Sequence, residues 1–261
     1  MKTAVAIITM CRWKYLDKCL SSLENCIGAE KFDWHFFQDN LEGYPESKTP
    51  YFLSTSEDIE KNIARIKSTT LPVTNLTINS KNEGVNNQIN KVFNLFNEYE
   101  RLFIFEDDLV VCRNYLRLLD RCSEQYPNVT ASFHTVRIKE PRIPQDLHKL
   151  EKASRPRLWG FYLTRDSWNS MKSGWKTRYD PDRRTPYYDT IVTQLIRKHT
   201  EGKYQPLVAR AYNIGMNGLL TTNPSAWKSR KLDKQTYNIE YEQDDKLENF
   251  KLLGRGKKRK K

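Results

Sequence analysis

The sequence has no run near the roughly 18 apolar residues that a membrane-spanning helix needs. Its apolar start, Met1 to Met10, is too short for a signal peptide and is followed closely by Arg12 and Lys14. It is expected to be a first strand, and a cytoplasmic protein is expected. The five cysteines (Cys11, Cys19, Cys26, Cys112, Cys122) are odd in number and lack metal-type pairing, so reduced thiols are expected. Met10 to Tyr15 contains no glycine-rich phosphate loop, which argues against a nucleotidyltransferase. There is no helix-turn-helix, zinc or RNA-binding signature, and no internal repeat. The pairs Asn75/Thr77 and Asn128/Thr130 match the glycosylation acceptor pattern but carry little weight without a secretory signal.

What is there fits a globular chain. Hydrophobic residues make up 38%, charged residues 29% and aromatics 12% of 261 residues, enough for one large α/β domain or two small ones. Half of the +12 net charge lies in Arg255, Lys257, Lys258, Arg259, Lys260 and Lys261. This tail is expected to be unfolded; a membrane surface or another anionic partner, an address signal, and a solubilising tail with no specific partner are the readings it allows. Together with the net charge it suggests nucleic-acid binding, the alternative of another class.

The stretch Arg101 to Val111 carries the chemistry. Leu102 to Phe105 is a continuous apolar run, as in a strand covered on both faces, and it leads directly into Glu106, Asp107 and Asp108. Three crowded carboxylates repel one another and lose hydration. A hard divalent ion, Mg²⁺ or Mn²⁺, relieves both costs and commonly carries a substrate phosphate. A solvated acidic turn is the bland alternative.

Along the chain, strands are expected at Ala4 to Thr9, Phe32 to Gln38, Val73 to Ile78 and Leu102 to Phe105. Helices between them cover Trp13 to Cys26, a segment with Ile59, Ile63 and Ile66 on one face after a capping box at Ser54/Glu57, and a segment from Val85 to Phe96. This alternation predicts parallel βαβ units in a mostly parallel α/β sheet flanked by helices. The second half is less regular: strands at Ala131 to Val136, Leu158 to Leu163 and Pro206 to Ala211, a loop from Pro141 to Pro156, a helix over Ser167 to Lys172 capped by Asp166, and a helix from Tyr188 to Lys198. One domain over 1–225 is expected, with a donor half (1–110), an acceptor half (111–225), and an appendage over 226–261. Arg12, Asp39 and Asn82 follow the first three strands as the acids follow the fourth. In a parallel sheet all four positions emerge on one edge and face one crevice.

These residues resemble the GT-A glycosyltransferases, and within them the branch containing N-acetylglucosaminyltransferase I. Glu106-Asp107-Asp108 resembles the acid motif; Met10 to Leu20 resembles the opening strand and helix whose arginine, here Arg12, contacts the nucleotide. Phe37-Gln38-Asp39 resembles the segment whose aspartate reads uracil. Trp159-Gly160-Phe161 resembles the acceptor-side segment, Tyr187-Tyr188-Asp189 the segment carrying the catalytic base, and Arg210 through Gly215 to Gly218 the loop folded over the donor. One departure is Thr190, where the family commonly has a second acid after the base. The resemblance implies a metal-dependent transferase using a nucleotide-sugar, UDP-linked, and a glycan acceptor, with inversion. It implies Asp108 as direct metal ligand with Asp107 beside it, Arg12, Asp39, Asn82, Glu106, Asp107 and Gly215 at the donor, Trp159, Gly160 and Tyr188 at the acceptor, and Asp189 as base. Rival bases are Asp180 and Asp182, and Arg155, Arg157, Arg183 and Arg184 are candidates for meeting an acidic acceptor or the diphosphate.

Overall fold

A computed structural model describes residues 1–44, 55–134, 147–153, 158–181, 188–215 and 250–253. Asp182, Tyr187, Gly218, Arg155, Arg157, Arg183, Arg184 and the basic tail lie outside the described residues.

The central sheet is built from β1 (Thr3–Thr9), β2 (Asp33–Gln38), β3 (Val73–Ile78), β4 (Arg101–Glu106) and β8 (Phe161–Thr164), in the order β3-β2-β1-β4-β8. The first four are parallel, and β8 runs antiparallel to β4. The continuous apolar runs follow from burial on both faces. Val5, Ile7, Phe103 and Phe105 point into one core and Ala4, Ala6, Ile8, Leu102 and Ile104 into the other. The first core is closed by α1 (Trp13–Glu24), α2 (Ser56–Lys67) and α4 (Tyr115–Gln125); the second by α3 (Val85–Asn94), α5 (Arg165–Arg178) and α6 (Tyr188–His199). Among the described residues no helix is long and apolar enough to cross a membrane.

Strand order fixes where a ligand can go. The chain runs from β1 outward to β2 and β3, then returns to place β4 on the other side of β1. The connections after β1 and β4 therefore diverge, and a crevice opens beyond their carboxyl ends. Two smaller sheets flank that edge. One pairs β5 (Leu109–Val111) with β10 (Ala211–Asn213), antiparallel. The other has the order β11-β7-β9-β6, from β6 (Thr130–Ala131), β7 (Lys149–Lys152), β9 (Lys203–Pro206) and β11 (Lys251–Leu253).

Several boundaries differ from expectation. The box opening α2 is formed by Thr55 and Asp58, one residue on from Ser54/Glu57, with the Thr55 N–H donating to Asp58 Oδ2 at 2.8 Å. Its buried face is Ile59, Asn62 and Ile66, while Ile63 is half-buried. Helix α5 spans fourteen residues rather than six and is capped by Thr164, whose hydroxyl accepts the Ser167 N–H at 3.2 Å, not by Asp166. The expected loop from Pro141 contains β7, and the expected strand from Pro206 is replaced by β9 before it and β10 after it. Part of the expected appendage joins the body: β11 pairs with β7, and Phe250 is buried against His148 and Phe133. All five cysteines are buried, and none is in a disulfide among the described residues.

Gly160 explains how β8 reaches β4. Its φ is +57°, and a Cβ there would lie 2.5 Å from Leu109 Cδ2 and 2.7 Å from Tyr115 Oη. The Tyr115 hydroxyl instead donates to the Gly160 carbonyl at 2.6 Å. Gly160→Ala meets left-handed strain of roughly 1–2 kcal/mol and an overpacking cost of about 1–3 kcal/mol. Urea unfolding should show a loss of about 3 kcal/mol; a loss below about 1 kcal/mol would mean the turn relaxes freely.

Candidate functional site

At the crevice, β1 delivers Thr9 and Arg12, and β4 delivers the three acids. Arg12 reaches across to both aspartates: Nη1 donates to Asp108 Oδ2 at 2.9 Å, and Nη2 donates to Asp107 Oδ1. Each aspartate also keeps a neutral donor. The Thr9 hydroxyl donates to Asp107 Oδ2 at 2.7 Å, and Asn213 Nδ2 donates to Asp108 Oδ1 at 2.9 Å. Both aspartates are buried, so these contacts replace water around charged groups.

Burial raises the Asp107 carboxyl above the usual range, a push that Arg12 opposes. Glu106 is pushed up to about 8, first by burial and then by the charge of Asp108. Burial alone would lower Arg12, but Asp107 and Asp108 outweigh it and hold the guanidinium more firmly charged than usual.

A second layer holds this cluster in place. Asn62, buried on α2, donates to Thr9 Oγ1 at 3.0 Å and to Gln38 Oε1 at 3.2 Å. Gln38 in turn donates to the Met10 and Asp39 carbonyls. One amide thus ties the ends of β1 and β2 to the hydroxyl that orients Asp107. Neither Thr9, Asn62 nor Asn213 was anticipated from sequence. A legible signal for Asn62 was an amide three residues from Ile59 on the buried face of α2.

The other expected residues separate into three groups. Gly215 belongs with the acids. It follows β10, where the Ile214 N–H donates to the Asp108 carbonyl at 2.8 Å and the Gly215 N–H to Asn213 Oδ1 at 2.9 Å. A methyl at Gly215 would overlap the Asp108 carboxylate. Asp39 and Asn82 lie on the same edge but face each other. Asp39 Oδ1 accepts from Asn79 Nδ2 (3.0 Å) and the Glu83 N–H (2.9 Å), and Oδ2 from Asn82 Nδ2 (3.2 Å) and the Gly84 N–H (2.9 Å). Four donors fill this carboxylate, so in this conformation Asp39 shapes the loop that begins α3. The acceptor-side residues are less uniform. Gly160 is buried under Tyr115, and Trp159 is half-buried, edge-on to His134 with centroids 4.8 Å apart.

Tyr188 is not a groove wall as expected, because it is 4% exposed. Its hydroxyl donates to Glu106 Oε1 at 2.5 Å, and its N–H donates to Asn86 Oδ1 at 2.8 Å. It thereby anchors the start of α6 to both α3 and the acid cluster. Asp189, the next residue, is exposed in the first helical turn and accepts the Thr190 N–H at 2.7 Å. Asp180, its rival, is half-buried beyond α5. Most aromatics of the second half are core: Trp168 stacks with Phe96, and Trp175 meets Phe93 edge-on.

Among the described residues no three His, Cys, Asp or Glu side chains converge as a complete metal cage. The donor set still suits a hard divalent ion. Such ions use one or two carboxylates and complete their shell with water and phosphate. With Glu106 pushed up to about 8 and so mostly protonated at neutral pH, Asp107 and Asp108 are the acids left to face the Arg12 guanidinium. Asp108 Oδ2 faces Arg12.

No protein-family model matches the chain, and no curated protein matches it in sequence. Solved structures match in fold. The crystal structure of S. aureus TarS 1-349 in complex with UDP-GlcNAc aligns over 93% of this chain and 69% of that one, with a TM-score of 0.58 and 14% identity. The same protein in complex with UDP aligns over 93% and 68%, with a TM-score of 0.54 and 12% identity. The longer TarS structure matches with a TM-score of 0.53 and 14% identity, and the chain spans 41% of its length. The chain therefore has a GT-A fold, with its mixed α/β layers and mostly parallel central sheet.

Gly215→Ala forces the Asp108 carboxylate to move and to lose the bond to Arg12 or to Asn213. A stability loss of about 1–3 kcal/mol is expected from the disrupted, buried charge-assisted contacts. Chemical denaturation at fixed pH measures it, and an unchanged midpoint would show that Asp108 is not held as described.

Proposed function

We propose that the chain is a glycosyltransferase that moves a sugar from a UDP-linked donor to a glycan hydroxyl with inversion, using Mn²⁺ or Mg²⁺. The observation that carries this reading is the carboxylate–guanidinium cluster at the switch point between β1 and β4, within a GT-A fold. It is supported by the fold match to TarS, whose structures hold UDP-GlcNAc and UDP. Nothing comparable favours nucleic-acid binding, for which the basic tail and the net charge are the arguments.

The roles follow from position. Arg12 offers positive charge to the donor diphosphate, and Asp108, with Asp107 beside it, offers oxygens to the cation. A bound divalent ion neutralises charge that develops on the leaving diphosphate. Glu106, held by Tyr188, closes the cluster toward α6. Asp39 and Asn82 set the shape of the loop before α3, which forms the base side of the donor crevice. Gly215 lets the strand after the acids pass close to Asp108. Inversion needs a base on the sugar face opposite the leaving group. Asp189 is exposed and sits in the first turn of α6. It would take the proton from the attacking acceptor hydroxyl. Trp159 and Gly160 shape the acceptor side, Trp159 through its partly open ring and Gly160 through the turn beneath it.

The test is thermal shift with UDP, UDP-GlcNAc and GDP, each with and without Mn²⁺, on wild type, Asp108→Asn and Asp189→Asn. A uridine nucleotide should stabilise wild type in the presence of Mn²⁺. The shift should vanish in Asp108→Asn and persist in Asp189→Asn, whose transfer rate should fall about 10²–10⁴-fold, as for loss of a general base. Absence of any nucleotide-dependent shift in folded wild type would sink the reading.

A further inference from the structure

We infer that Arg12 is an internal competitor for the divalent cation: it holds the aspartate oxygens that a cation would take and sets how tightly the site takes a metal. The inference rests on the reading of the acids as cation ligands given above.

The geometry divides the aspartate contacts into permanent and exchangeable halves. Asp107 has one oxygen on the Thr9 hydroxyl and the other on Arg12; Asp108 has one on the Asn213 amide and the other on Arg12. The neutral donors belong to strand ends: Thr9 closes β1 and is locked by Asn62, and Asn213 closes β10 and is locked by the Gly215 N–H. If Arg12 withdrew, each carboxylate would keep its neutral donor and its orientation. The oxygens released would be the two that now share one guanidinium.

Arg12 is built to be that exchangeable half. It lies just beyond β1, immediately before α1, with a fifth of its side chain exposed, whereas the acids are almost fully buried. Its guanidinium carbon is 5.6 Å from the Tyr15 ring, so an aromatic face borders it outside the acids. A guanidinium and a divalent ion meet the same need, charge compensation for carboxylates that have lost water. Both positive groups would draw on Asp108 Oδ2, 2.9 Å from Nη1, and repel each other there, so each weakens the binding of the other. The cation therefore binds against a cost set by Arg12, and any anion that draws Arg12 outward strengthens cation binding by the same factor that the cation strengthens the anion's.

The experiment uses the full chain with Mn²⁺ alone and no nucleotide, counting free ion by electron paramagnetic resonance. Arg12→Met should bind Mn²⁺ at least about tenfold more tightly than wild type, because the competing charge is gone and the buried acids are uncompensated. Its melting temperature should lie below wild type without metal and rise further than wild type's when Mn²⁺ is added. Equal or weaker Mn²⁺ binding by folded Arg12→Met overturns the inference. Tighter binding that survives in Arg12→Met/Asp108→Asn overturns it as well, since the ion would then sit elsewhere. If Arg12→Met fails to fold in either condition, Arg12→Lys decides. A lysine keeps the charge but not the two-pronged fork, so a smaller tightening is expected, and unchanged affinity overturns the inference. Because no nucleotide is present, failure here leaves the sugar-transfer reading standing, and a failed nucleotide panel leaves this result standing.

Discussion

The compensation of Asp107 and Asp108 by Arg12 is the interaction on which the rest of the crevice depends. Two carboxylates this deeply buried, next to a third, are tolerable only with a positive partner. The requirement propagates outward. Arg12 must leave β1 at its carboxyl end, the acids must leave β4 beside it, and β1 and β4 must be neighbours in the sheet. The Thr9–Asn62–Gln38 chain then fixes the strand ends, and Tyr188 carries the same constraint into α6 through Glu106. Structural and functional demands therefore fall on the same few residues. Replacing one should disturb both stability and binding.

Much of the first half was legible because its signals are local. A strand buried on both faces needs an uninterrupted apolar run, and residues 4–8 and 102–105 supply one; β3 was found to the residue. The alternation of such runs with amphipathic helices implied parallel pairing, and parallel pairing placed Arg12 and the acids on one edge. The second half was harder for a physical reason. Its strands are two to four residues long and pair with partners far away in sequence, so period and propensity carry little weight against tertiary context.

Within the site, charge was legible and orientation was not. The three acids and Arg12 stand out in any reading of the sequence, but which oxygen meets which donor depends on neutral residues such as Thr9, Asn62 and Asn213. Tyr188 shows the same limit. An aromatic beside a candidate base suggests a sugar-facing ring, and only the packing of α6 against α3 turns it inward onto Glu106. Asp39 was placed on the correct edge, but the loop turned its carboxylate toward Gly84 and Glu83.

The pairing of β5 with β10 has a consequence for the order of assembly during synthesis. Asp108 receives its neutral donor from Asn213, 105 residues later in the chain. At translation rates of roughly 5–20 residues per second, the acids emerge roughly 5–20 s before the strand that completes their surroundings. Arg12 and Thr9 are already synthesised by then, so the early chain can neutralise its acids from the N-terminal side alone. Charge compensation therefore precedes the fixing of orientation. The nascent sheet can thus hold its acids compensated before the strand that orients Asp108 is made.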